Sequence, residues 1–374
     1  MFIGNKVLDL YDICFIGIGR VGYLALKYFV EKHSDYKILA LDSNPLKKEV
    51  LNRLNGDIVF ETIKSPGEAI SKICGLNLVA TALPSSIAYS YVSELLNNGL
   101  NVVDVSYIEE DPYTLSETCI RKKVFYIPDA GFAPGFSNLY VGYIQSIHRE
   151  LDEVAIHVGG IPIKPVEPIY YQITWNPVDL LEEYVRPARI VVNKSIRKVD
   201  PLENIVEVNI PNLGLYQGFY SDGLRTLIRN INVKNMFEIT IRYPGHLDVM
   251  RVLKKLGFFN KEPIAVDNFM IKPIEYTARI LEKNLKQTIP DIAILYIVVK
   301  TIDKKIYENL STLIGDVNES ATAKYTALVF YKTIDIVING FEQGIHPLED
   351  FYMFYKDYLE YLMSKGVVFK EQIK

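Results

Sequence analysis

Short apolar runs alternate with amphipathic stretches along residues 12–130, and this pattern predicts strands joined by helices. Helical periodicity is clearest in "RVGYLALKYFVEK" (20–32) and in "SIAYSYVSELLNNG" (86–99). The predicted strands are "ICFIGIG" (13–19), "KILALDSN" (37–44), "DIVFE" (57–61), "LNLVATALP" (76–84), "LNVVDVSY" (100–107) and "KVFYIPDAG" (123–131). Alternation at this spacing predicts crossover units and a parallel sheet.

The pattern changes after about residue 150, where apolar positions recur with a period of two. The stretches concerned are "EVAIHVGGI" (153–161), "IYYQITW" (169–175), "RIVVNKSIRKV" (189–199), "NIVEVNI" (204–210), "MFEITIRYP" (236–244) and "DIAILYIVVKTID" (291–303). Few crossover helices separate them, so we expect a mixed or antiparallel sheet in a second domain. Helical periodicity returns in residues 320–340, from a Ser320 cap to Gly340.

Composition narrows the class of protein. A chain of 374 residues is long enough for two domains, and a net charge of −4 gives no basic field for nucleic acid or an acidic membrane surface. The three cysteines, Cys14, Cys74 and Cys119, have no metal-type spacing, so we expect no metal and a reducing, cytoplasmic setting. The apolar runs are too short to span a bilayer, and the first twelve residues do not resemble a signal peptide.

The stretch "GIGRVG" has the G-x-G-x-x-G spacing of a dinucleotide-binding turn. Gly17 would permit the tight turn, Gly19 would let the backbone approach a pyrophosphate, and Gly22 would let the helix pack closely on the strand. The anion would lie on the N–H groups at the helix start, beside Arg20 and Val21. The alternative is a tight α/β turn with no ligand.

Asp42 ends the next predicted strand, twenty residues after Gly22. Its carboxylate would accept hydrogen bonds from ribose hydroxyls and repel a 2′-phosphate, so we expect NAD in preference to NADP. The loop after the fourth strand would lie over the cofactor, which makes Thr81, Leu83 and Pro84 candidate neighbours. Together these features predict an N-terminal Rossmann domain.

Several later motifs carry a resemblance to a known family. "DAGFAPGFSN" (129–138) resembles the Asp-x-Gly-x-x-Pro-Gly-x-x-Asn segment of the saccharopine dehydrogenase and lysine 6-dehydrogenase group. The order of the following motifs is similar to that of the lysine 6-dehydrogenase branch: "VGGIP" (158–162), "EEYVRPARIVVN" (182–193), "YSDGLRTL" (220–227), "TIRYPGH" (240–246) and "ATAKYTA" (321–327).

The resemblance implies an α/β fold of three parts: a Rossmann NAD-binding domain (1–148), an α+β substrate and dimerisation domain with a mixed sheet (149–319), and C-terminal helices that return to the first domain (320–374). For the lysine 6-dehydrogenase branch it implies oxidation of the ε-amine of L-lysine by NAD, followed by cyclisation of the aldehyde to a piperideine carboxylate. The saccharopine branch would instead oxidise a secondary amine. We expect a homodimer, because the edge strands of the second sheet need cover.

Candidate substrate-binding residues lie in three motifs. Pro134 and Gly135 fix a bend at the domain boundary, either beside a substrate or as a plain hinge. Arg225 would bind a substrate carboxylate or form an ion pair, and Arg242 would assist it. Asp222 would hold a cationic amine or cap the helix that begins at "GLRTLIRN".

"RYPGH" (242–246) is the candidate catalytic motif, since Pro244 and Gly245 form a rigid turn between ionisable side chains. Amine oxidation requires a group that takes a proton from the ammonium, and a histidine suits mild pH. We therefore expect His246 or Tyr243 to assist deprotonation, with a helix-cap neighbour as the structural alternative for His246. A function of another class is a non-catalytic NAD-binding sensor or scaffold.

Overall fold

The structure is a computed structural model that describes residues 11–73 and 75–374. The expectation of no signal peptide rests largely on residues 1–10, which lie outside the described residues, as does Cys74. Cys14 and Cys119 are buried free thiols.

Strands and helices follow one another throughout the described chain. The strands are β1 (Ile13–Ile16), β2 (Lys37–Asp42), β3 (Asp57–Thr62), β4 (Leu78–Thr81), β5 (Asn101–Asp104), β6 (Phe125–Ile127), β7 (Leu151–Pro162), β8 (Ala188–Val192), β9 (Ser195–Val199), β10 (Val206–Ile210), β11 (Gly214–Ser221), β12 (Val233–Arg242), β13 (Ile264–Val266), β14 (Phe269–Ile271), β15 (Asp291–Thr301), β16 (Ile306–Ile314), β17 (Gly344–Ile345) and β18 (Val368–Ile373). The helices are α1 (Arg20–Lys32), α2 (Lys47–Leu51), α3 (Pro66–Lys72), α4 (Ser85–Asn97), α5 (Ser116–Lys122), α6 (Phe136–Ile147), α7 (Pro177–Glu183), α8 (Leu227–Asn230), α9 (His246–Lys255), α10 (Pro273–Asn284), α11 (Ala321–Val337) and α12 (Tyr355–Ser364). Short 3₁₀ helices cover Pro112–Leu115 and Leu348–Phe354.

The chain divides into two compact units: the first comprises residues up to 131 with 326–350, and the second comprises 132–325 with 351–374. These limits differ from the predicted domain boundaries at 148 and 319. Helix α6 packs on β7 and β15 and so belongs to the second unit, although it continues the helical pattern of the first. Of the C-terminal segment, residues 326–350 belong to the first unit, but β18 pairs with β16 in the second.

The first unit is built on a parallel sheet, as predicted. Within the described residues it has seven strands in the order β17-β6-β5-β4-β1-β2-β3. The order reverses between β1 and β4, and such a switch point opens a ligand crevice at the carboxyl ends of the strands. One face buries apolar side chains of α3, α4 and α5, such as Tyr91 and Cys119. On α1, Phe29 packs against both Phe15 of β1 and Tyr331 of α11.

The second unit contains the predicted mixed sheet. Its described strands run β10-β11-β12-β7-β15-β16-β18, and β8 joins β12 to β9. The β12–β7 pairing is parallel and the other pairings in this sheet are antiparallel. A separate hairpin, β13–β14, lies outside it.

Three predicted elements differ in the structure. Residues 169–175 form a loop with one bridge, Ile173 to Lys286, because Tyr170 has a left-handed backbone (φ 59°). Residues 189–199 form a hairpin, β8–β9, since Asn193 (φ 48°) and Lys194 (φ 62°) make a turn of the type that matches strand twist. The helix expected from residue 223 is shortened to α8, because Arg225 also has a positive φ, 51°.

Candidate functional site

The turn between β1 and α1 is built around Gly17, whose φ of 89° favours glycine. Its N–H donates to the carbonyl of Leu41 at 2.8 Å. A Cβ at this position would lie 2.3 Å from the carbonyl oxygen of Ala82, on the neighbouring strand end. The backbones of three strand ends therefore meet closely at this turn, as the Gly-rich motif predicts.

Gly22 and Gly19 have different roles in the turn. A Cβ on Gly22 would lie 1.9 Å from the carbonyl oxygen of Gly17, so the first turn of α1 can approach the strand only with glycine there. A Cβ on Gly19 would meet no atom within 4 Å among the described residues, so its side faces open space. The first helical residues, Arg20 to Gly22, include no acid, and no described side chain caps α1. This helix N-terminus is therefore suited to an anion.

Asp42 ends β2 beside this turn. Its Oδ2 accepts the N–H of Ile18 at 2.6 Å and its Oδ1 accepts the N–H of Asn44 at 2.8 Å. These bonds fix the carboxylate, and each oxygen keeps a further lone pair for a ligand hydroxyl. The carboxylate is thus held beside the Gly-rich turn, and its role as a ribose acceptor stays a prediction.

The loop after β4 contains the other predicted cofactor neighbours. Leu83 is partly exposed, Pro84 is exposed, and the N–H of Leu83 is held by the hydroxyl of Ser106 at 2.9 Å. Thr81, in contrast, is fully buried and donates to Asp104 Oδ1 at 2.7 Å. Leu83 and Pro84 are accessible to a cofactor, whereas Thr81 is buried and bonds to Asp104 at the base of the loop.

Asp104, at the end of β5, was missed by sequence reasoning. It is fully buried, and its Oδ1 accepts from the hydroxyls of Thr81 and Ser106. Burial raises the pKa of Asp104 to about 7 against these hydrogen bonds, and the charge of Asp129 adds to the rise. The available signal was an acid directly after the apolar "LNVV", at the carboxyl edge of a predicted parallel strand.

Pro134 and Gly135 form the predicted bend before α6. The N–H of Gly135 (φ 135°) donates to Asn138 Oδ1 at 3.3 Å, and Asn138 donates to the hydroxyl of Thr226 at 3.4 Å. Pro134 is partly exposed and Gly135 is buried. The bend is thus anchored to the start of α8.

Arg242 lies in a buried aromatic cage in the second unit, which does not suit the predicted role of binding a substrate carboxylate. It is 2% exposed, and its NH2 donates to Glu183 at 2.9 Å. Its guanidinium carbon lies 5.0 Å from the ring centre of Tyr171 and 5.7 Å from that of Phe219. Nε donates to the Tyr184 hydroxyl. The charge of Arg242 is already matched inside the protein.

His246 belongs to the same network and is 1% exposed. Its Nδ1 donates to the carbonyl of Ile169 at 2.8 Å, and its Nε2 accepts from the Tyr184 hydroxyl at 2.9 Å. Burial, together with the charge of Arg242, lowers the pKa of His246 to about 3. Since both ring nitrogens are occupied and the ring stays neutral, this geometry argues against the predicted proton transfer by His246.

The remaining predicted residues are largely enclosed. Tyr243 is partly buried and donates to the carbonyl of Pro162 at 2.9 Å. Asp222 accepts from Arg189 through both oxygens at 2.8 Å, and α8 begins after Thr226, so Asp222 is not its N-cap. Arg225 is 6% exposed.

Glu238, on β12, is a second buried acid that sequence reasoning missed. Its Oε1 accepts from the Ser221 hydroxyl at 2.7 Å, while its Oε2 has no hydrogen-bond donor among the described residues. Burial, and then the charges of Glu183 and Asp222, raise the pKa of Glu238 to about 8 against the Ser221 bond. Gly223 is required beside it, because a Cβ there would lie 1.9 Å from Oε1.

No described helix combines the length and the apolarity needed to cross a membrane. Nor do residues 11–73 and 75–374 bring together three His, Cys, Asp or Glu side chains in an arrangement that could hold a metal ion.

The fold and a family match together define the class of protein to which this chain belongs. The parallel sheet with its Gly-rich turn, and the separate mixed-sheet unit, define a two-domain protein of the Rossmann dinucleotide-binding type. Residues 131–367 match the saccharopine dehydrogenase C-terminal domain. The chain therefore belongs to the saccharopine dehydrogenase family, which confirms the resemblance at the level of the family.

Individual relatives are distant. The chain is 23% identical over 214 residues to an α-aminoadipic semialdehyde synthase of Arabidopsis thaliana, covering 53% of this chain but 20% of that protein. It is 18% identical over 289 residues to a saccharopine dehydrogenase [NADP(+), L-glutamate-forming] of Schizosaccharomyces pombe, covering 72% of this chain and 64% of the other. The chain thus spans 20% of the length of the first relative and 64% of the length of the second.

Solved structures show the same fold. An L-Glu-forming saccharopine dehydrogenase of Saccharomyces cerevisiae matches with a TM-score of 0.76 at 15% identity, covering 97% of this chain and 99% of that one. A homospermidine synthase of Legionella pneumophila, in complex with NAD, matches with a TM-score of 0.66 at 14% identity, covering 96% and 91%.

The His246 network predicts an acid-sensitive fold. The unfolded chain binds a proton at His246 below about pH 6.5, but the folded protein does so only near pH 3, so acid favours the unfolded chain. Replacing His246 with glutamine should remove roughly 2 kcal/mol of the stability loss between pH 6.5 and 5. Urea unfolding at both pH values measures this.

The matched control is His346→Gln, at a partly exposed site outside the network. Its pH dependence should differ from that of His246→Gln, because His346 lies outside the buried network. The raised pKa values of Asp104 and Glu238 make acid favour the folded state. Both acids are present in the wild type and in both variants, so the difference in pH dependence between wild type and His246→Gln reports on His246. An unchanged slope in His246→Gln would contradict the buried neutral ring.

Proposed function

We propose that this chain oxidises the ε-amine of L-lysine with NAD to an imine, which water hydrolyses with release of ammonia to an aldehyde that cyclises to a piperideine carboxylate. The observation that carries the proposal is the dinucleotide turn, with its open face at Gly19 and its fixed acid at Asp42, in a member of the saccharopine dehydrogenase family. NAD supplies the hydride acceptor when bound. The residues of the first unit would hold its pyrophosphate and ribose.

Asp42 supports NAD over NADP. Its carboxylate is held by two backbone N–H groups and sits where the adenosine ribose binds in folds of this type. A 2′-phosphate would bring a second negative charge against it, at a cost in affinity. Lys47 and Lys48 follow at the start of α2, and both lie beyond the Asn44 turn that fixes Asp42.

Glu238 supports a substrate that carries a cationic amine. Burial raises the pKa of Glu238, and its Oε2 lacks a donor among the described residues, so this oxygen can accept a hydrogen bond from an ammonium group. We propose Arg225 as the partner for the α-carboxylate, because it lies in the same stretch as Gly223, which contacts Glu238. Arg242 and His246 would have a structural role in this region, because both are held in the buried network around Tyr184.

Saccharopine is the second candidate substrate, and the comparisons favour it. The curated relative of S. pombe and the solved structure of S. cerevisiae both carry that name. Saccharopine has an additional dicarboxylate arm, which would require further basic groups. Glu238 Oε2 lacks a donor among the described residues, and this favours lysine, which is smaller than saccharopine and carries more positive charge.

The test is NAD reduction followed at 340 nm under alkaline conditions, with L-lysine or saccharopine as the amine. The proposal predicts NADH formation with lysine alone, together with a cyclic imine product detectable by its coloured adduct with 2-aminobenzaldehyde. NADH formation with saccharopine but not lysine would assign the second candidate. Binding of NAD with no reduction by either amine would indicate the sensor or scaffold instead.

A further inference from the structure

Asp104 has an unusual set of contacts for a buried carboxyl at a ligand-binding edge. Its Oδ1 accepts from Thr81 Oγ1 at 2.7 Å, from Ser106 Oγ at 2.7 Å and from the Ser106 N–H at 3.1 Å. Its Oδ2 is buried and meets no hydrogen-bond donor in the part of the chain that the structure describes. One oxygen is thus saturated and the other is left to interact through charge alone.

Hydrogen bonds connect Asp104 to the loops at the carboxyl edge of the parallel sheet, where the ligand crevice opens. Ser106, which donates to Asp104, also accepts the N–H of Leu83 in the loop after β4. That loop meets the dinucleotide turn, because the carbonyl of Ala82 lies against Gly17. Asp104 therefore stands at the carboxyl end of β5, one strand from the switch point where the cofactor of such a sheet lies.

Among the described residues, Asp104 has a negative neighbour and neutral hydrogen-bond donors. Asp129, which follows β6, is the neighbouring charge that acts on it, and it is negative. The end of β4 contributes the neutral Thr81, and the loop after β5 contributes the neutral Ser106. The helices packed on this sheet face, α4 and α5, contribute Tyr91 and Cys119 to its core, and burial raises the pKa of both, which keeps them neutral.

We propose that Asp104 is the charge partner of the nicotinamide ring, ionised while the ring is oxidised and positive, and protonated once the ring is neutral. This inference rests on the proposed function, since it requires a nicotinamide dinucleotide in the first unit. Binding of NAD⁺ would release the Asp104 proton to the buffer, whereas binding of NADH would not. Asp104 acts through the electrostatic field and is a positioning residue.

The proposal fixes how affinity depends on pH. The pKa of Asp104 is about 7 without ligand, so at pH 6 most molecules must lose a proton before NAD⁺ binds well, and at pH 8 few must. Affinity for NAD⁺ should rise about tenfold from pH 6 to pH 8, with little change for NADH. ADP-ribose, which lacks the ring, should follow NADH.

The experiment is isothermal titration of the full chain with NAD⁺, NADH and ADP-ribose at pH 6, 7 and 8, in two buffers of different ionisation enthalpy. In the Asp104→Asn variant, which keeps an oxygen for Ser106 and Thr81, the ratio of NAD⁺ to NADH affinity should not change with pH. The control Asp35→Asn, at an exposed turn of the same unit, should behave as wild type.

The wild-type titrations decide the question even if Asp104→Asn does not fold. Proton release at pH 7 on binding NAD⁺ but not NADH supports the proposal. Equal proton release and equal pH dependence for both ligands overturns it, while leaving dinucleotide binding and the proposed function intact. Correct proton release with no amine-dependent reduction would overturn the proposed reaction and leave this inference standing.

Discussion

Replacing Gly19 with alanine should weaken NADH binding by about 100-fold, or ~2.7 kcal/mol, without lowering thermal stability. The backbone at Gly19 has φ −73°, which alanine adopts freely, and a Cβ there would contact no described atom within 4 Å. The free protein should therefore fold normally. The added methyl group would occupy the open face through which the pyrophosphate must approach the N–H groups of α1. NADH fluorescence titration and thermal unfolding measure the two effects separately.

Gly67→Ala is the matched control. Gly67 is exposed on α3 in the same unit, and a Cβ there also meets no described atom within 4 Å. This variant should keep both wild-type affinity and wild-type stability. Equal NADH affinity in Gly19→Ala and Gly67→Ala would place the dinucleotide elsewhere.

Replacing Arg242 with methionine should destabilise the protein by roughly 3–5 kcal/mol, because it leaves the Glu183 carboxylate without its cation and Tyr184 without a donor. The cage of Tyr171, Tyr184 and Phe219 would also lose its central charge. Urea unfolding gives the free energy directly. If Arg242 is structural, the folded fraction should keep the wild-type KM for the amine.

The control is Arg279→Met, whose side chain is 82% exposed and pairs with Glu282 one turn away. Such a surface pair should change stability by no more than about 0.5 kcal/mol. A loss of amine affinity in Arg242→Met, with stability equal to that of Arg279→Met, would restore the carboxylate-binding role predicted from sequence.

Local sequence sufficed where neighbouring residues determine the structure. The strand, the three glycines and the helix of the first βαβ unit lie within 20 residues, and Asp42 follows at a fixed distance, so the turn could be predicted in detail. The Pro244-Gly245 turn was equally local, and Gly245 does adopt the left-handed conformation (φ 92°).

Long-range packing decided what the sequence did not reveal. Tyr184 approaches His246 and Arg242 from about 60 positions away in the chain, and this contact turns the apparent catalytic motif into a buried network. Asp104 and Glu238 look like ordinary strand acids in the sequence. Their chemistry comes from burial and from donors on adjacent strands, such as Thr81 and Ser221, which only the sheet registers bring together.

Titration of the purified chain with NADH and with NADPH is the decisive measurement, because the dinucleotide turn with Asp42 underlies both the proposed reaction and the role of Asp104. We expect saturable binding of NADH and roughly tenfold weaker binding of NADPH, because Asp42 would repel the 2′-phosphate. Absence of binding for both dinucleotides, or tighter binding of NADPH, would contradict it.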